Sequence, residues 1–507
     1  MTNLIHHPQT RDELKALAAD PRICLGDIDT SAITDMTGIF QDSPRNDFTG
    51  IGSWDTSAVT CMDQMFSDCQ AFNADISSWD TSKVTSMEAM FRHALSFNQP
   101  LGQWDVSQVR SMKEMFNMAI AFDQPLEKWD VSSVTTMSRM FQSCDNFNQP
   151  LEKWDVSHVR NMSRMFQCCY NFNQPLAGWN VSHVTDMSYM FQYDNTFNQS
   201  LEKWDVSHVR KMKCMFQGAT SFDQPLEKWD VSAVTDMNRM FAQTSFNQPL
   251  EDWDVSHVTD MSEMFMFNDA FNQPLGKWDV SAVTTMNSMF EGAYSFNQDI
   301  STWDTSKVTN MSCMFEGACA FCQPLERWNV GRVRLMRRMF AGAVSFNQPL
   351  ESWDVSAVTA MSGMFAGCLN FNQPLGKWNV AKVRFTNEMF RDCHSFNQPL
   401  NSWRLLGENL SQMFMNASAF NQPLDSWDMS EAKDLTEMFR DALCFNQPLS
   451  DWQIAARIKV SRMFLGAIAY NQDMNRWRLS RKYADDLLAG AMSFSPENCL
   501  QLFRRKK

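Results

Sequence analysis

The sequence predicts an α/β solenoid built from 25-residue repeats, and three observations support this fold class. All 18 tryptophans occupy one position of the repeat, from Trp54 to Trp477. Each repeat combines a short segment that has the period of a strand with a longer segment that has the period of a helix. A link that contains proline in most repeats then leads to the next copy. Such repeats bury their apolar faces against one another, so we expect a stack.

The repeat around Trp154 shows both periods. Trp154 and Val156 are two residues apart and therefore share one face of an extended segment. The apolar residues that follow have helical spacing, which predicts a helix of about three turns. They are Val159, Met162, Met165, Phe166 and Cys169. Pro150 lacks an N–H group and favours an end to the preceding helix.

The connections between strands predict the handedness of the stack. Strands that are joined by helical crossovers lie parallel, and such crossovers are right-handed. The sequence therefore predicts a right-handed solenoid of 18 to 19 turns with a parallel sheet. Because a helix is wider than a strand, we expect the sheet on the concave side and short helices outside.

The ends of the chain depart from the repeat, which predicts three segments. Residues 1–24 are expected to form an N-terminal capping helix, because Thr10 and Glu13 have the spacing of a capping box. Residues 25–479 are the repeat solenoid. Residues 480–507 are expected to form a C-terminal cap with one helix over 480–488 and another that starts at Ser495 and includes Phe503.

Composition limits the partners and the location of the chain. A net charge of −14 argues against nonspecific binding to nucleic acid or to anionic lipid. No apolar run approaches the roughly 18 residues of a membrane-spanning helix. The polar first residues lack the apolar core of a secretory signal. These features predict a cytoplasmic monomer that neither inserts into a membrane nor binds nucleic acid.

Cysteine is used in this sequence as a small apolar residue. Cys144 and Cys169 stand where other repeats have Ala94 or Ala119. We therefore expect the 14 cysteines to be free thiols. Cys319 and Cys322 form a CxxC pair without a second pair, which is weak evidence for zinc, so no metal or cofactor is expected.

Two polar positions recur in nearly every repeat. Asparagine follows phenylalanine, as at Asn148 and Asn173, and is expected to form a buried ladder between repeats. Aspartate follows tryptophan, as at Asp155. Its carboxylate is expected to accept backbone N–H bonds in a turn, because Asn180 replaces it in one repeat. A row of cation-binding carboxylates is the alternative.

The repeated motif resembles a known bacterial family. MF, then alanine or cysteine three residues on, then FNQPLxxWDVSxVTxM, is similar to the repeat of BspA-like leucine-rich-repeat surface proteins. The similarity covers about residues 25 to 480, and the MF pair runs from Met65-Phe66 to Met463-Phe464. The resemblance implies a leucine-rich-repeat-like solenoid, adhesion or host-protein binding at the cell surface, and no enzymatic activity.

The sequence contains no phosphate loop, GxSxG motif or HExxH motif, so we do not expect an enzyme. The expected function is a protein-binding scaffold whose partner, of unknown identity, contacts variable polar positions. A locally basic edge provides the candidate residues His158, Arg160, His183, His208, Arg210 and His257. The alternative is an intracellular acidic mimic of nucleic acid that inhibits a DNA-binding protein, suggested by the net charge and the aspartate row.

Overall fold

The computed structural model describes residues 5–500 and Leu502. The chain divides into two compact units, Met1–Pro249 and Leu250–Lys507. In each unit the backbone of one repeat pairs with the backbone of the next, as the predicted solenoid requires. We call a set of equivalent positions in different repeats a slot. Each slot is named after the residue that occupies it in the repeat that contains Trp154.

The segment that was predicted to be helical is a series of tight turns. Alternate N–H groups donate to carbonyl oxygens of the next repeat at 2.8–3.1 Å. The pairs are Met162 to Asp186, Arg164 to Ser188, Phe166 to Met190 and Cys168 to Gln192. Between them, the N–H groups of Met165 and Gln167 donate to carbonyls three positions earlier in their own repeat, and that of Ser163 donates to the Asn161 side chain. In the described part of the chain, the only α-helix is α1, Arg11–Ala19.

The prediction of short helices in every repeat was therefore wrong. Turns that close every three residues return apolar side chains to the core with nearly the spacing of a helix, so the sequence pattern does not separate the two. Arg164 (φ 60°) and Cys168 (φ 59°) are left-handed. Each such residue costs about 1 kcal/mol. Pairing with the neighbouring repeat offsets this cost, because it satisfies amides that a helix would bond internally.

The predicted parallel sheet is reduced to one bridge residue per repeat. All bridges among the described residues are parallel: one joins His6 to Ile28, and the others run from Asp35 to Asp236 in the first unit and from Asp260 to Lys459 in the second. The segment around Trp154 forms turns, because Trp154 N–H donates to Leu151 O at 3.1 Å and Val159 N–H donates to Val156 O at 2.9 Å. The extended strands that the sequence pattern predicted are thus too bent to pair along their length.

The core matches the prediction. Every tryptophan is at most 4% exposed. The indole Nε1 of Trp154 donates to Leu126 O of the preceding repeat at 3.0 Å, and its ring stacks on Trp179 with centroids 6.5 Å apart. Phe166 stacks on Phe172 at 4.1 Å. Each of these buried side chains contributes about 1.5–3 kcal/mol of transfer free energy.

Asparagines link consecutive repeats, but at the surface. Asn148 Oδ1 accepts the N–H of Asn173 and the Nε2 of Gln174, both at 3.0 Å. The predicted ladder is therefore present, whereas its predicted burial was wrong, because Asn148 is exposed and Asn173 only half-buried.

The N-terminal segment contains the predicted helix. Thr10 Oγ1 accepts the Glu13 N–H at 3.2 Å, and Leu14 and Ala18 are fully buried. The buried guanidinium of Arg45 donates to Ala18 O at 3.1 Å and to carbonyls of the residues that follow the helix, Asp20 and Ile23. These hydrogen bonds from Arg45 link α1 to the first repeats. Short 3-10 helices follow at Leu25–Asp27 and Ile51–Ser53.

The C-terminal segment differs from its prediction. No α-helix forms over 480–488; the structure has 3-10 helices at Arg481–Tyr483 and Pro496–Cys499. The carbonyls of Tyr483, Asp485, Leu487 and Ala489 accept N–H bonds from the preceding repeat at 2.8–3.0 Å, so the repeat pattern continues there. Phe503 and residues 504–507 lie outside the described residues. The segment boundaries 1–24, 25–479 and 480–507 stay a prediction. No described helix has the length and apolar character that crossing a bilayer requires.

Candidate binding surfaces

The aspartate that follows each tryptophan is held in a turn. Asp155 Oδ1 accepts the N–H of Ser157 at 3.0 Å, and Asn180 does the same for Ser182 at 3.2 Å. Hydrogen bonds from the Ser157 side chain and backbone lower the pKa of Asp155 below its ordinary value. The turn interpretation is therefore confirmed, because asparagine replaces aspartate with the same bond.

The structure places three of the predicted histidines in one exposed slot of the first unit. His158, His183 and His208 each have Nδ1 3.2–3.4 Å from the hydroxyl of the preceding serine. Arg160 and Arg210 are exposed two residues further on. His257 is exposed in the second unit, 3.3 Å from the hydroxyl of its own preceding serine.

The sequence interpretation missed further cations around Arg160 and Arg210. Arg110 occupies the Arg160 slot, and Lys113 and Lys213 lie in the Ser163 slot. Lys211 occupies the slot of the bridge residue Asn161, which we call the bridge slot. Within residues 5–500, none of these cations is in an ion pair. We call this group the basic face: Arg110, Lys113, Arg160, Arg210, Lys211 and Lys213. Comparison of equivalent slots across repeats would have found it.

A row of amide side chains fills the Gln167 slot of the first unit. Each amide nitrogen donates to the amide oxygen of the next repeat: Asn117 to Gln142 at 2.8 Å, Gln142 to Gln167 at 2.6 Å, Gln167 to Gln192, and Gln192 to Gln217 at 2.6 Å. The last amide donates to the Tyr193 hydroxyl at 3.3 Å. The central glutamines are 7–8% exposed. We call this set the glutamine row.

The same slot is open in part of the second unit. Ala341 and Ala366 replace glutamine there, and glycines occupy the following slot at Gly317, Gly342 and Gly367. A shallow groove of about 370 Å³ results, which we call the Ala/Gly groove. Gly342 has φ +72° and donates its N–H to Ala366 O at 2.7 Å, so the backbone pairing is unchanged.

Charged pairs close both ends of the Ala/Gly groove. At one end, Arg338 donates to Glu316 Oε1 at 2.6 and 2.8 Å. At the other end, Arg391 pairs with Glu388 and with Asp392, each at 3.2 Å. All five residues line the groove. The site therefore combines a floor without large side chains and walls of mixed charge.

At the end of the groove that contains Arg338 and Glu316, one cluster of side chains has the ligand types for a metal. Donor atoms of Glu291, Cys313 and Glu316 lie within 4.8 Å of one another. However, Glu316 is already paired with Arg338, and burial raises the pKa of Cys313 to about 12, with Glu316 adding to the rise. A metal needs the thiolate form, so this arrangement favours the ion pair.

These features define a leucine-rich-repeat-like solenoid whose outward slots vary. The family described as "Mycoplasma protein of unknown function, DUF285" matches residues 18–123, 97–193, 171–266, 242–349, 323–408 and 405–498. The chain belongs to this family. The match recurs along the chain, so the predicted resemblance to a bacterial repeat family is confirmed.

Solved structures of repeat proteins are similar to the chain at low identity. A leucine-rich repeat protein from Bacteroides ovatus is 12% identical, with a TM-score of 0.40, covering 66% of this chain and 87% of its own. One from Eubacterium ventriosum is 13% identical, with a TM-score of 0.32 and coverages of 61% and 82%. No curated protein matches. These likenesses are too distant to transfer a partner or an activity.

Proposed function

We propose that this chain is a non-enzymatic, protein-binding scaffold that uses the Ala/Gly groove to hold a partner. The polar groups that recur in each repeat already form hydrogen bonds between or within repeats. They are the Trp154 indole, alternate backbone amides, and the side chains of Asn148 and Asp155. The outward slots that differ between repeats are what remains for recognition. The observation that supports the proposal most strongly is a groove in a slot that glutamine fills in the first unit.

The groove suits an extended segment that carries a cationic side chain. Carboxylates of Glu316, Glu388 and Asp392 outnumber the guanidiniums of Arg338 and Arg391 along its walls. The small floor lets a partner backbone approach closely, and the walls are fixed by ion pairs before binding. A preorganised surface reduces the ordering cost of association.

The alternative function as an acidic nucleic-acid mimic has less support. The carboxylates after tryptophan accept backbone N–H bonds, so their position serves the turn. Several lysines before tryptophan pair with glutamates of the preceding repeat, as Lys228 does with Glu202 at 2.6 Å, which reduces the acidic field. A mimic would lose its target steeply as salt rises and would compete with DNA.

Affinity capture with the full chain as bait tests the proposal. The double variant A341Q/A366Q fills the groove with a residue that the Gln167 slot already accepts, so we expect the captured partner to be lost while the fold is retained. The matched control is A242Q, the same change in the same slot of the first unit, which should capture as the unmodified chain does. Equal capture by all three proteins, with circular dichroism confirming that each is folded, would contradict the groove as the binding site.

A further inference from the structure

We propose that the basic face of the first unit binds an acidic segment of a protein partner. This surface is distinct from the Ala/Gly groove and belongs to the other compact unit. The chain as a whole has a net charge of −14, yet six cations gather here without an ion pair in the part of the chain that the structure describes. An unpaired concentration of one charge on a chain of the opposite charge requires its own explanation.

The arginines of the basic face are regularly spaced. Arg110, Arg160 and Arg210 share one slot, and a threonine occupies that slot in each repeat between them. The threonine hydroxyls bond to the backbone of the preceding repeat, Thr135 to Arg110 O at 3.1 Å and Thr185 to Arg160 O at 3.2 Å. With about 4.8 Å per repeat, successive arginines are about 10 Å apart. This interval leaves room for one carboxylate at each guanidinium.

Acidic groups near the basic face do not neutralise it. Asp186 and Asp236 flank Lys211 in the bridge slot, but their Oδ1 atoms accept the N–H groups of Ser188 and Asn238 at 2.9 and 3.0 Å. Neither forms an ion pair with Lys211 among the described residues. The cations of the basic face therefore remain available to a partner.

Equivalent positions in the second unit show what neutralisation looks like. Lys433 pairs with Glu408 at 2.7 Å in the Arg160 slot. Lys459 pairs with Asp434 at 3.3 Å in the bridge slot. Each of these pairs joins adjacent repeats. Cations and carboxylates in these slots thus reach one another in the second unit. In the basic face, the neighbours of Arg110, Arg160 and Arg210 in their slot are threonines, and Lys211 is not paired with Asp186 or Asp236 among the described residues.

The charge pattern favours an acidic protein segment over nucleic acid. Exposed aspartates follow the tryptophans in the same repeats, at Asp105, Asp155 and Asp205. A phosphate backbone has a charge fixed in the chain about every 3.4 Å per strand, and that backbone would meet these carboxylates. A protein segment carries its carboxylates on flexible side chains, so those at the arginine interval, for example seven residues or about 10.5 Å apart on a helix, can pair while the others turn to solvent.

Fluorescence anisotropy with a labelled oligoglutamate peptide and the full chain tests this inference. We expect binding that weakens as salt rises from about 50 to 200 mM, because charge pairs carry it. The variant R110T/R160T/R210T places threonine in consecutive repeats, as Thr259, Thr284 and Thr309 already do. It should bind roughly tenfold more weakly. The matched control K433T/K459T removes cations that are already paired and should bind normally.

Three outcomes would overturn the inference: no binding of oligoglutamate, equal binding by the threonine variant, or equal binding of a matched oligoglutamine. Tighter binding of single-stranded oligothymidylate would assign the basic face to nucleic acid instead. The groove variant A341Q/A366Q should retain oligoglutamate binding, so failure of this inference and failure of the proposed groove are distinguishable.

Discussion

The glutamine row and the Ala/Gly groove occupy one slot of the repeat, but the row is closed and the groove is open. The backbone is the same in both: Cys168 N–H donates to Gln192 O at 2.8 Å, and Gly342 N–H donates to Ala366 O at 2.7 Å. The side chain in the Gln167 slot therefore does not determine whether repeats stack. This freedom lets the surface vary while the stack is maintained.

The two regions differ in how their polar groups are satisfied. In the glutamine row, each glutamine is both donor and acceptor within a nearly buried chain of hydrogen bonds, which strengthen one another. In the Ala/Gly groove, the polar groups are half-exposed ion pairs such as Arg338–Glu316, and such pairs contribute at most about 1 kcal/mol. We infer that the glutamine row contributes to the stability of the first unit, whereas the Ala/Gly groove contributes little to the stability of the second.

Interruption of the glutamine row has the largest expected effect. Gln167→Leu keeps the size of the side chain but leaves the Gln142 amide nitrogen without its acceptor and the Gln192 oxygen without its donor. A buried polar group that loses its partner costs about 1–3 kcal/mol. We expect the free energy of unfolding to fall by about 2–4 kcal/mol in urea titrations followed by tryptophan fluorescence.

The control for this change is Gln70→Leu. Gln70 is exposed and its side chain is not part of the row, so its replacement should alter stability by less than about 0.5 kcal/mol. If Gln167→Leu proved as mild as Gln70→Leu, the row would be a consequence of stacking rather than a source of stability.

The core slot two residues further on gives a second contrast. Asp194 is fully buried in the Cys169 slot of the first unit, and its Oδ2 has no hydrogen-bond partner among the described residues. Asn268 fills the same slot in the second unit, where its Oδ1 accepts the N–H groups of Ala270 and Phe271 at 3.2 and 3.1 Å. Burial raises the pKa of Asp194 well above its ordinary value.

We therefore expect Asp194→Asn to stabilise the chain at neutral pH. Between the ordinary carboxyl pKa and the raised pKa, the folded state binds more protons than the unfolded state, so the free energy of unfolding falls as pH rises. The amide does not titrate, and the variant should be more stable by on the order of 1–2 kcal/mol at pH 7. Denaturation at pH 4 and pH 7 measures this. A gain that is equal at both pH values would show that ionisation is not the cause.

The fold was predictable where one residue type recurs at fixed spacing. The burial of the tryptophans, the use of Cys144 and Cys169 as small core residues and the turn at Asp155 all follow from such recurrence, because the residue type reports its surroundings. The short helices were not predictable, because three-residue turns and helices return side chains to the core with almost the same period. Bonds between repeats decide between them, and a single repeat does not show those bonds.

A signal for the turns was nevertheless present in the sequence. Glycine recurs in the Cys168 slot at Gly292, Gly317, Gly342 and Gly367, and glycine at one fixed position indicates a left-handed backbone. The candidate surfaces were predictable only in part. The sequence predicted an edge with His158, Arg160 and Arg210, which are exposed, and its role in binding stays a prediction. The glutamine row and the groove depend on comparing the same slot across repeats.

Conversion of the groove into a row has the smallest expected effect. In A341Q/A366Q the two introduced amides can form one new hydrogen bond, which is worth about 0.5–1.5 kcal/mol when buried. Gly342 and Gly367 leave them exposed, whereas Cys168 and Tyr193 flank the natural row, so we expect a gain of at most about 0.5 kcal/mol.

A242Q differs, because it would give Gln217 an amide acceptor like those of Gln142 and Gln167 in place of the Tyr193 hydroxyl. Its gain should be about 0.5–1 kcal/mol. Urea titration of both variants measures the difference, and a larger gain from A341Q/A366Q would mean that the flanking side chains do not matter to the row.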